Sequence, residues 1–409
     1  MKILNFGSCN IDQVYSLDHI VRVGETQTTY KLETFPGGKG LNQSIAIARA
    51  GAKVYHAGCV GCDGDMLVDV LSQSGVDLSY LKRVDEKNGH AIIQVTTAGE
   101  NSIFLYAGSN EMVSKEYVDS VLEHFGEGDI ILLQNEISNI DYIVRRAYEK
   151  KMCIVFNPSP FNDKINEIDF SMISCVILNE VEAGEISKCE SAEACLTFFK
   201  NNYPNIKVML TLGSRGCIYM DANHEIFQSA FKVAVVDTTA AGDTFTGYFL
   251  AEISKGTDYE SVLKIATAAS AIAVSRSGAA PSIPCRDEVL AKLDDLTAHK
   301  SSKSDMINDK INSYLEENIK TASLDELAEV LGYSSVYTGA LVKKLTGKSF
   351  SKLVQSKRCS MAADMLLSTD MSVHEIINAV GYENESFFRR IFKEKYGKNF
   401  LEYRSRGGK

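Results

Sequence analysis

The chain of 409 residues has no tryptophan and six prolines, all at or before Pro284. Nothing beyond that point therefore has to break a helix. No apolar run approaches the ~18 residues that a membrane-crossing helix needs; Ile265 to Val274 is among the longest. Met1 to Asn10 lacks the anatomy of a signal peptide and has a strand-like pattern, so a cytoplasmic location is expected. A disulfide framework is also missing. The ten cysteines are scattered, mostly inside apolar runs, and read as reduced, packed thiols. Cys59-Val-Gly-Cys62 has metal or redox spacing, but no second pair follows it, and we read it as coincidence.

What is present is an ordinary globular composition, 45% hydrophobic and 23% charged, in a chain too long for one core. The net charge of −10 is unevenly spread. Residues 301 to 409 carry 17 Lys/Arg against 14 Asp/Glu, net +3, while the remainder carries 26 against 39, net −13. An acidic body with a mildly basic C-terminal piece fits a catalytic domain joined to a nucleic-acid-binding one.

The most informative stretch is VVDTTAAGDTFTG, Val235 to Gly247. It reads as an apolar strand that breaks into small residues and then enters a helix. The amides of Ala241, Gly242 and Asp243 would converge at the helix N-terminus, an anion site. Asp243 would stand beside it to take a proton from a hydroxyl, which points to phosphoryl transfer to an alcohol. Taken alone, Gly-Asp-Thr is more often a helix cap.

The rest of the N-terminal part supplies the context. Lys2 to Gly7 reads as a strand with Asn10 and Asp12 at its mouth. One residue apart on an extended segment, they share a face and can address one sugar-like ligand, an Asx-rich turn being the plain alternative. Residues 13 to 35, and Ala91 to Tyr106 around a turn at Ala98-Gly99, alternate as half-exposed strands do, and predict a small sheet able to act as a lid. Between them, Pro36 to Gln43 (PGGKGLNQ) is not a Walker loop. Gly37 and Gly38 permit close backbone approach, and Lys39 and Asn42 add donors. From Ala52 onward apolar runs alternate with helical patterns, predicting a doubly wound α/β fold with ligands at the carboxyl ends of its strands. Glu136, Asn157, Asn179, Glu182 and Thr211 to Gly216 fall at those ends. Asn179 and Glu182 at a helix start can serve Mg²⁺ or a capping motif. Gly213 and Gly216, flanking Ser214-Arg215, can cradle nucleotide phosphates.

The order GSCNID, GGKGLNQ, NEVE, TLGSRG, DTTAAGDTF and SRSGAAPS resembles the ribokinase-like (PfkB-type) carbohydrate kinases over roughly residues 1 to 296, and within them looks most similar to the ribokinases. The resemblance implies a ribokinase-like sandwich with a β-sheet lid that converts ribose and ATP to ribose 5-phosphate and ADP. It implies sugar contacts from Asn10, Asp12, Gly38, Lys39, Asn42 and Glu136. Asp243 is implied as the base, with Ala241 and Gly242 in the anion hole. ATP contacts fall on Asn179, Thr211, Gly213, Ser214, Gly216 and Gly242, and Mg²⁺ is associated with Glu182. A potassium ion is implied between the loops holding Asp237, Thr239, Ala273, Arg276, Gly278 and Ser282. Ala107-Gly-Ser-Asn110 replaces the usual Pro-Gly-Ala-Asn, and Thr267 stands where an Asn is often found. A nucleoside or another furanose remains open as acceptor, as does a sugar sensor that has lost turnover. A homodimer paired through the lid strands is expected.

Arg286 to Leu296 reads as a closing helix and Thr297 to Ser304 as a linker. From 305 to 409 the chain repeats itself: Ser323 to Tyr333 aligns with Ser372 to Tyr382 at a spacing of 49. Each unit has a Ser cap, Glu three residues on, helical apolar spacing and a Gly stop, and a second helix follows each. The result is an all-α domain with two helix-turn-helix motifs separated by a helical strut, Phe350 to Leu367. It resembles the AraC-type DNA-binding domain, with a helical protein-interaction module as the alternative. Lys343, Lys344, Arg389, Arg390 and Lys393 are candidate contacts to double-stranded DNA. The first recognition helix contains no Arg, and Phe400 replaces a common Pro.

Overall fold

The computed structural model describes residues 1–96, 101–296, 303–369, 371–382 and 384–404. The expected turn at Ala98-Gly99 and residues 297–302 of the expected linker lie outside the described residues. The chain divides into two compact units, 1–299 and 300–409.

In the first unit the strands of the main sheet are β1 (Ile3–Phe6), β4 (Val54–Val60), β5 (Asp77–Arg83), β8 (Ile130–Gln134), β9 (Cys153–Asn157), β10 (Cys175–Asn179), β11 (Lys207–Thr211), β12 (Gly216–Met220) and β13 (Glu225–Ser229). They lie in the order β13-β12-β11-β10-β9-β8-β1-β4-β5, parallel except for the β11-β12-β13 edge. A second sheet, β3-β2-β6-β7, is built from β2 (Asn10–Leu17), β3 (Lys31–Gly37), β6 (Gly89–Thr96) and β7 (Asn101–Tyr106). This is the small sheet predicted from the alternating segments.

Successive residues of the central strands feed opposite faces. Ile130 and Leu132 join one core, Ile131 and Leu133 the other. The first core packs under α1 (Lys39–Arg49), α2 (Asp65–Gln73), α7 (Ala241–Ser254), α8 (Tyr259–Val274) and α9 (Arg286–Lys292). The second packs under α3 (Lys115–Leu122), α4 (Ile140–Glu149), α5 (Glu180–Ser187) and α6 (Ala192–Asn202). This is the expected doubly wound, ribokinase-like arrangement. Helices α1 and α7 cross closely because a Cβ on Gly247 would lie 2.3 Å from the Ala46 Cβ.

Two expectations fail locally. Val235 and Val236 form no strand and are 65% and 63% exposed. No neighbouring strand is available to them, and the Val236 and Asp237 N–H groups donate instead to the Val274 carbonyl at the end of α8. The closing helix α9 stops at Lys292 rather than Leu296. Cys59 is buried while Cys62 is exposed, and no cluster of metal-ligating side chains occurs among the described residues. No described helix is long and apolar enough to cross a membrane.

The second unit is helical: α10 (Lys303–Asn318), α11 (Leu324–Leu331), α12 (Ser335–Thr346), α13 (Phe350–Ser368), α14 (Val373–Ala379), α15 (Glu385–Tyr396) and α16 (Phe400–Arg404). Helix α10 starts at Lys303, so the last two residues of the expected linker are helical. The repeated motifs are α11-α12 and α14-α15, each opened by its predicted Ser cap and with a positive-φ glycine, Gly332 or Gly381, between the helices. Strut α13 joins them. Its Arg358 donates to the Ile319 and Lys320 carbonyls (2.9 and 2.8 Å) on one side and to the Gly381 carbonyl (3.0 Å) on the other. A Cβ on Gly381 would meet the Lys320 oxygen at 2.5 Å, so the two halves touch backbone to backbone. Phe400 is buried and stacks on Phe392 with ring centroids 4.2 Å apart. It fills the place of the missing proline as a core residue.

Candidate active site

Strand order reverses between β1 and β8, and doubly wound sheets bind ligands in the crevice at such a point. The chain turns into that crevice after β1 at Gly7 to Asn10 and after β8 at Asn135 and Glu136. Asp243 reaches it as the third residue of α7, which begins after Ala240 in the left-handed region (φ 58°).

The Asp243 carboxylate is buried and held from α1. Its Oδ2 accepts from Asn42 Nδ2 at 3.1 Å and its Oδ1 from Gln43 Nε2 at 2.9 Å. Gln43 Nε2 also donates to Asn157 Oδ1 (3.0 Å), and Gln43 Oε1 accepts from Gln134 Nε2 (2.7 Å), which reaches Asn5 Oδ1 at 2.9 Å. Sequence reasoning missed this supporting layer of Asn5, Gln43 and Gln134 altogether. Asn5 stands alone in an apolar strand, and Gln43 and Gln134 stand beside other polar residues, so nothing local marks any of the three as a partner of Asp243. The orphaned, buried Asn42 Oδ1 beside Asp243 is free to accept from a hydroxyl of a ligand.

Of the three amides expected in the anion hole, the Ala241 N–H donates to the Thr238 carbonyl at 3.3 Å. The Gly242 and Asp243 N–H groups have no acceptor among the described residues, and a Cβ on Gly242 would meet nothing within 4 Å. The donors left free at the start of α7 are therefore those of 242 and 243, with open space before Gly242.

On the lid side, Asn10 pairs with Gly37 and Asp12 with Phe35 in the β2-β3 register. A Cβ on Gly37 would sit 2.1 Å from Asp12 Oδ2. Gly38 has φ +94°, and a Cβ there would press the Asn10 nitrogen at 2.9 Å, so glycine is required at 38, while a side chain at 37 would displace the Asp12 carboxylate. Glu136 Oε2 accepts from the Lys39 N–H at 3.0 Å and from the Ser8 hydroxyl. Asn10 Oδ1 accepts from Asn110 Nδ2 at 2.7 Å, so the altered Ala107–Asn110 segment keeps its anchoring amide.

The carboxylates interact. Burial first, then Glu136 and Asp243, push the Asp12 carboxyl up to about 7. Burial likewise raises Glu136, against the pull of Lys39. For Lys39 burial alone would favour the neutral amine, but Asp243, Glu136 and Glu182 outweigh it and its pKa is raised.

A cleft of about 230 Å³ is lined by Lys39, Asn157, Asn179, Glu182, Gly242 and Asp243, and also reaches Thr211. A second hollow of about 160 Å³ is lined by Asn10, Asn110, Asn135, Glu136 and Tyr106. Asn179 and Glu182 form a reciprocal capping box (2.9 and 3.0 Å), which occupies Glu182 Oε2 and leaves Oε1 for a ligand. One carboxylate lining the same cleft as Gly242 suits hydrated Mg²⁺. Gly213 (φ +56°) and Ser214 are exposed, whereas Gly216 has a steric reason of its own: a Cβ would lie 2.0 Å from the Gln228 oxygen.

The two loops expected to hold potassium meet. Asp237 Oδ1 accepts from the Thr239 N–H (2.9 Å) and hydroxyl (2.6 Å), and Oδ2 from the Gly278 N–H (2.9 Å). The Thr239 and Gly278 carbonyls accept no hydrogen bond among the described residues, which fits a cation held by main-chain oxygens. Ala273 is buried, its carbonyl taking the Arg276 N–H at 3.0 Å. Arg276 is paired with Glu288, and the Ser282 hydroxyl donates to Ala279 O at 2.8 Å.

In the second unit Lys343, Lys344, Arg389, Arg390 and Lys393 are all exposed on α12 and α15. Arg389 is partly engaged, 3.2 Å from Glu385.

A model described as pfkB family carbohydrate kinase matches residues 1–286, and one described as a helix-turn-helix domain matches residues 327–406. The ribokinase of Haemophilus influenzae is 34% identical over 298 residues, covering 70% of this chain and 97% of that one. Among solved structures, ribokinase from Thermotoga maritima is 34% identical with a TM-score of 0.65, covering 72% of this chain and 99% of that one. Arabidopsis thaliana ribokinase complexed with ribose and ATP is 29% identical with a TM-score of 0.65, covering 71% and 98%. Fold and site together define a phosphotransferase with an alcohol group as acceptor. The chain belongs to the pfkB family of carbohydrate kinases, and an AraC-type helix-turn-helix DNA-binding domain follows the kinase domain.

Proposed function

We propose that the first unit is a ribokinase, transferring the γ-phosphoryl group of ATP to D-ribose to give ribose 5-phosphate and ADP. The observation that carries this reading is Asp243, fixed by Asn42 and Gln43 beside the unbonded Gly242 and Asp243 N–H groups. Ribose O5 attacks the γ-phosphorus as the bond to the β–γ bridging oxygen breaks, and the O5 proton passes to Asp243. The two N–H groups at the positive end of α7 hold the developing charge, and Lys39 adds a cation in the same cleft. Asn10, Asp12, Asn42 and Glu136 bind the sugar hydroxyls, while Asn179, Thr211, Gly213 and Ser214 lie toward the nucleotide. Glu182 would hold Mg²⁺, which neutralises phosphate charge. Asp237, Thr239, Ala273, Arg276, Gly278 and Ser282 would surround K⁺, which steadies the loop ahead of α7.

The second unit binds double-stranded DNA and places the kinase in transcription regulation in the cytoplasm. The exposed Ile103, Phe104 and Leu105 on edge strand β7 support pairing of two copies through their lids. A sensor that has lost turnover is the second reading. The complete set of Asp243, Lys39 and free amides speaks for an active enzyme. Assay of Asp243→Asn against pentoses, hexoses and nucleosides with ATP, reading products by mass, tests both. Ribose should be the preferred acceptor of the unmodified chain and the variant should lose turnover with its fold intact. Full turnover by the variant, or none by the parent chain, refutes the proposal.

A further inference from the structure

The two helix-turn-helix motifs share one architecture and carry different side chains on it. Ser334 and Asn384 cap α12 and α15, Gly347 and Gly397 end them in the left-handed region (φ 72° and 69°), and Phe350 and Phe400 open the helices that follow. This alignment sets Val336 against Ser386, Gly339 against Arg389, Ala340 against Arg390 and Lys343 against Lys393. On α12, Thr338 and Val342 are buried, so residues 336, 340 and 343 share the outward face, and all three are exposed.

We propose that α12 reads DNA through the 5-methyl groups of thymine, using Val336 and Ala340, while α15 reads guanine through Arg390. The inference rests on the DNA-binding role of this domain. A lone exposed valine needs no explanation. Val336, however, is 86% exposed on the first turn of a recognition helix, the end that meets base edges in the major groove. Thymine C5-methyl is the apolar group presented by base edges there. One turn on, Ala340 keeps that face apolar and short enough for close approach. Lys343 and Lys344, at the other end of the helix, make no ion pair among the described residues, which suits phosphates on the flanking backbone. Tyr337 is set aside from this face, its ring edge-on to Tyr333 at 5.0 Å.

The second motif presents the opposite chemistry at matching positions. Arg389 is held by Glu385, which also pairs with His374. Arg390 makes no ion pair among the described residues and rests over the Phe387 ring at 5.4 Å. Its guanidinium is free for the bidentate contact to guanine O6 and N7.

The full chain should be used to select duplexes from a random library, and the selected site then resynthesised with uracil for thymine, which removes the methyl alone. One half-site should weaken roughly fourfold per contacted methyl, and Val336→Ala should shrink that difference, leaving the share that belongs to Ala340. Arg390→Ala should relax a guanine in the other half-site and leave the uracil effect in place. Because Val336 touches little, its replacement leaves folding intact. Guanine selected by both halves, or a uracil effect unchanged in Val336→Ala, overturns the proposal. Absence of any salt-sensitive duplex binding would instead remove the DNA-binding reading beneath it.

Discussion

The raised pKa of Asp12 predicts that sugar affinity rises with pH. Without sugar its carboxyl sits at about 7, held there by burial and by Glu136 and Asp243. Sugar hydroxyls donating to Asp12 favour the ionised form and pull its pKa back toward the ordinary 3.8. Only about one Asp12 in eleven is ionised at pH 6, against about ten in eleven at pH 8, so ribose should bind roughly tenfold more tightly at pH 8. Calorimetric titration in two buffers of different ionisation enthalpy should count about 0.9 protons released per ribose at pH 6 and about 0.1 at pH 8. Asp12→Asn should bind weakly with little pH dependence. In stability the sign is reversed: a raised carboxyl favours the folded state fully below pH 3.8 and loses that contribution as pH rises through about 7. The melting temperature of the sugar-free protein should therefore decline from pH 6 to 8, and ribose should offset the decline. Equal affinities at the two pH values with no proton release would refute the linkage.

Gln43→Leu leaves Asp243 Oδ1, Asn157 and Gln134 each short of a partner. It should destabilise the kinase domain by about 1–3 kcal/mol and lower kcat far more than it raises KM, as steady-state kinetics and calorimetry would register. Gly242→Ala adds a methyl in open space on the first turn of α7. Thermal unfolding should show unchanged or slightly raised stability, by up to ~1 kcal/mol, while turnover falls because the methyl stands where phosphate must approach; unaltered turnover would move the anion site elsewhere. Phe400→Ala removes a buried ring stacked on Phe392, and should cost about 3–5 kcal/mol in the unfolding of the DNA-binding domain without altering ribose phosphorylation.

The glycine-rich turns and the strand-end polar residues were legible because their constraints are local. A positive φ at Gly38, a close approach at Gly37 and a helix entry at Gly242 each leave a mark within a few residues. β4, β8, β9, β10 and β11 stood out for the same reason, as short apolar runs between helical patterns, but β5 did not. That edge strand, DLSYLKR, is half-exposed and carries no such run. The layer behind Asp243 was invisible because Asn5, Gln43 and Gln134 come together, against the strand-end Asn157, only when β1, α1, β8 and β9 assemble. Val235 and Val236 misled in the other direction, since apolar side chains predict a strand only where a neighbour can pair with it. In the second unit the repeated caps announced the motifs, but not that Arg358 would tie them together.

That tie limits which operators the protein can accept. With Arg358 gripping carbonyls on both sides and Gly381 against Lys320, neither motif can slide along the groove while its twin stays put. One inserted base pair shifts a half-site by about 3.4 Å and swings it around the axis by roughly a tenth of a turn. The duplex must absorb that mismatch by bending or untwisting, so spacer length and spacer stiffness select the genomic target alongside the letters themselves.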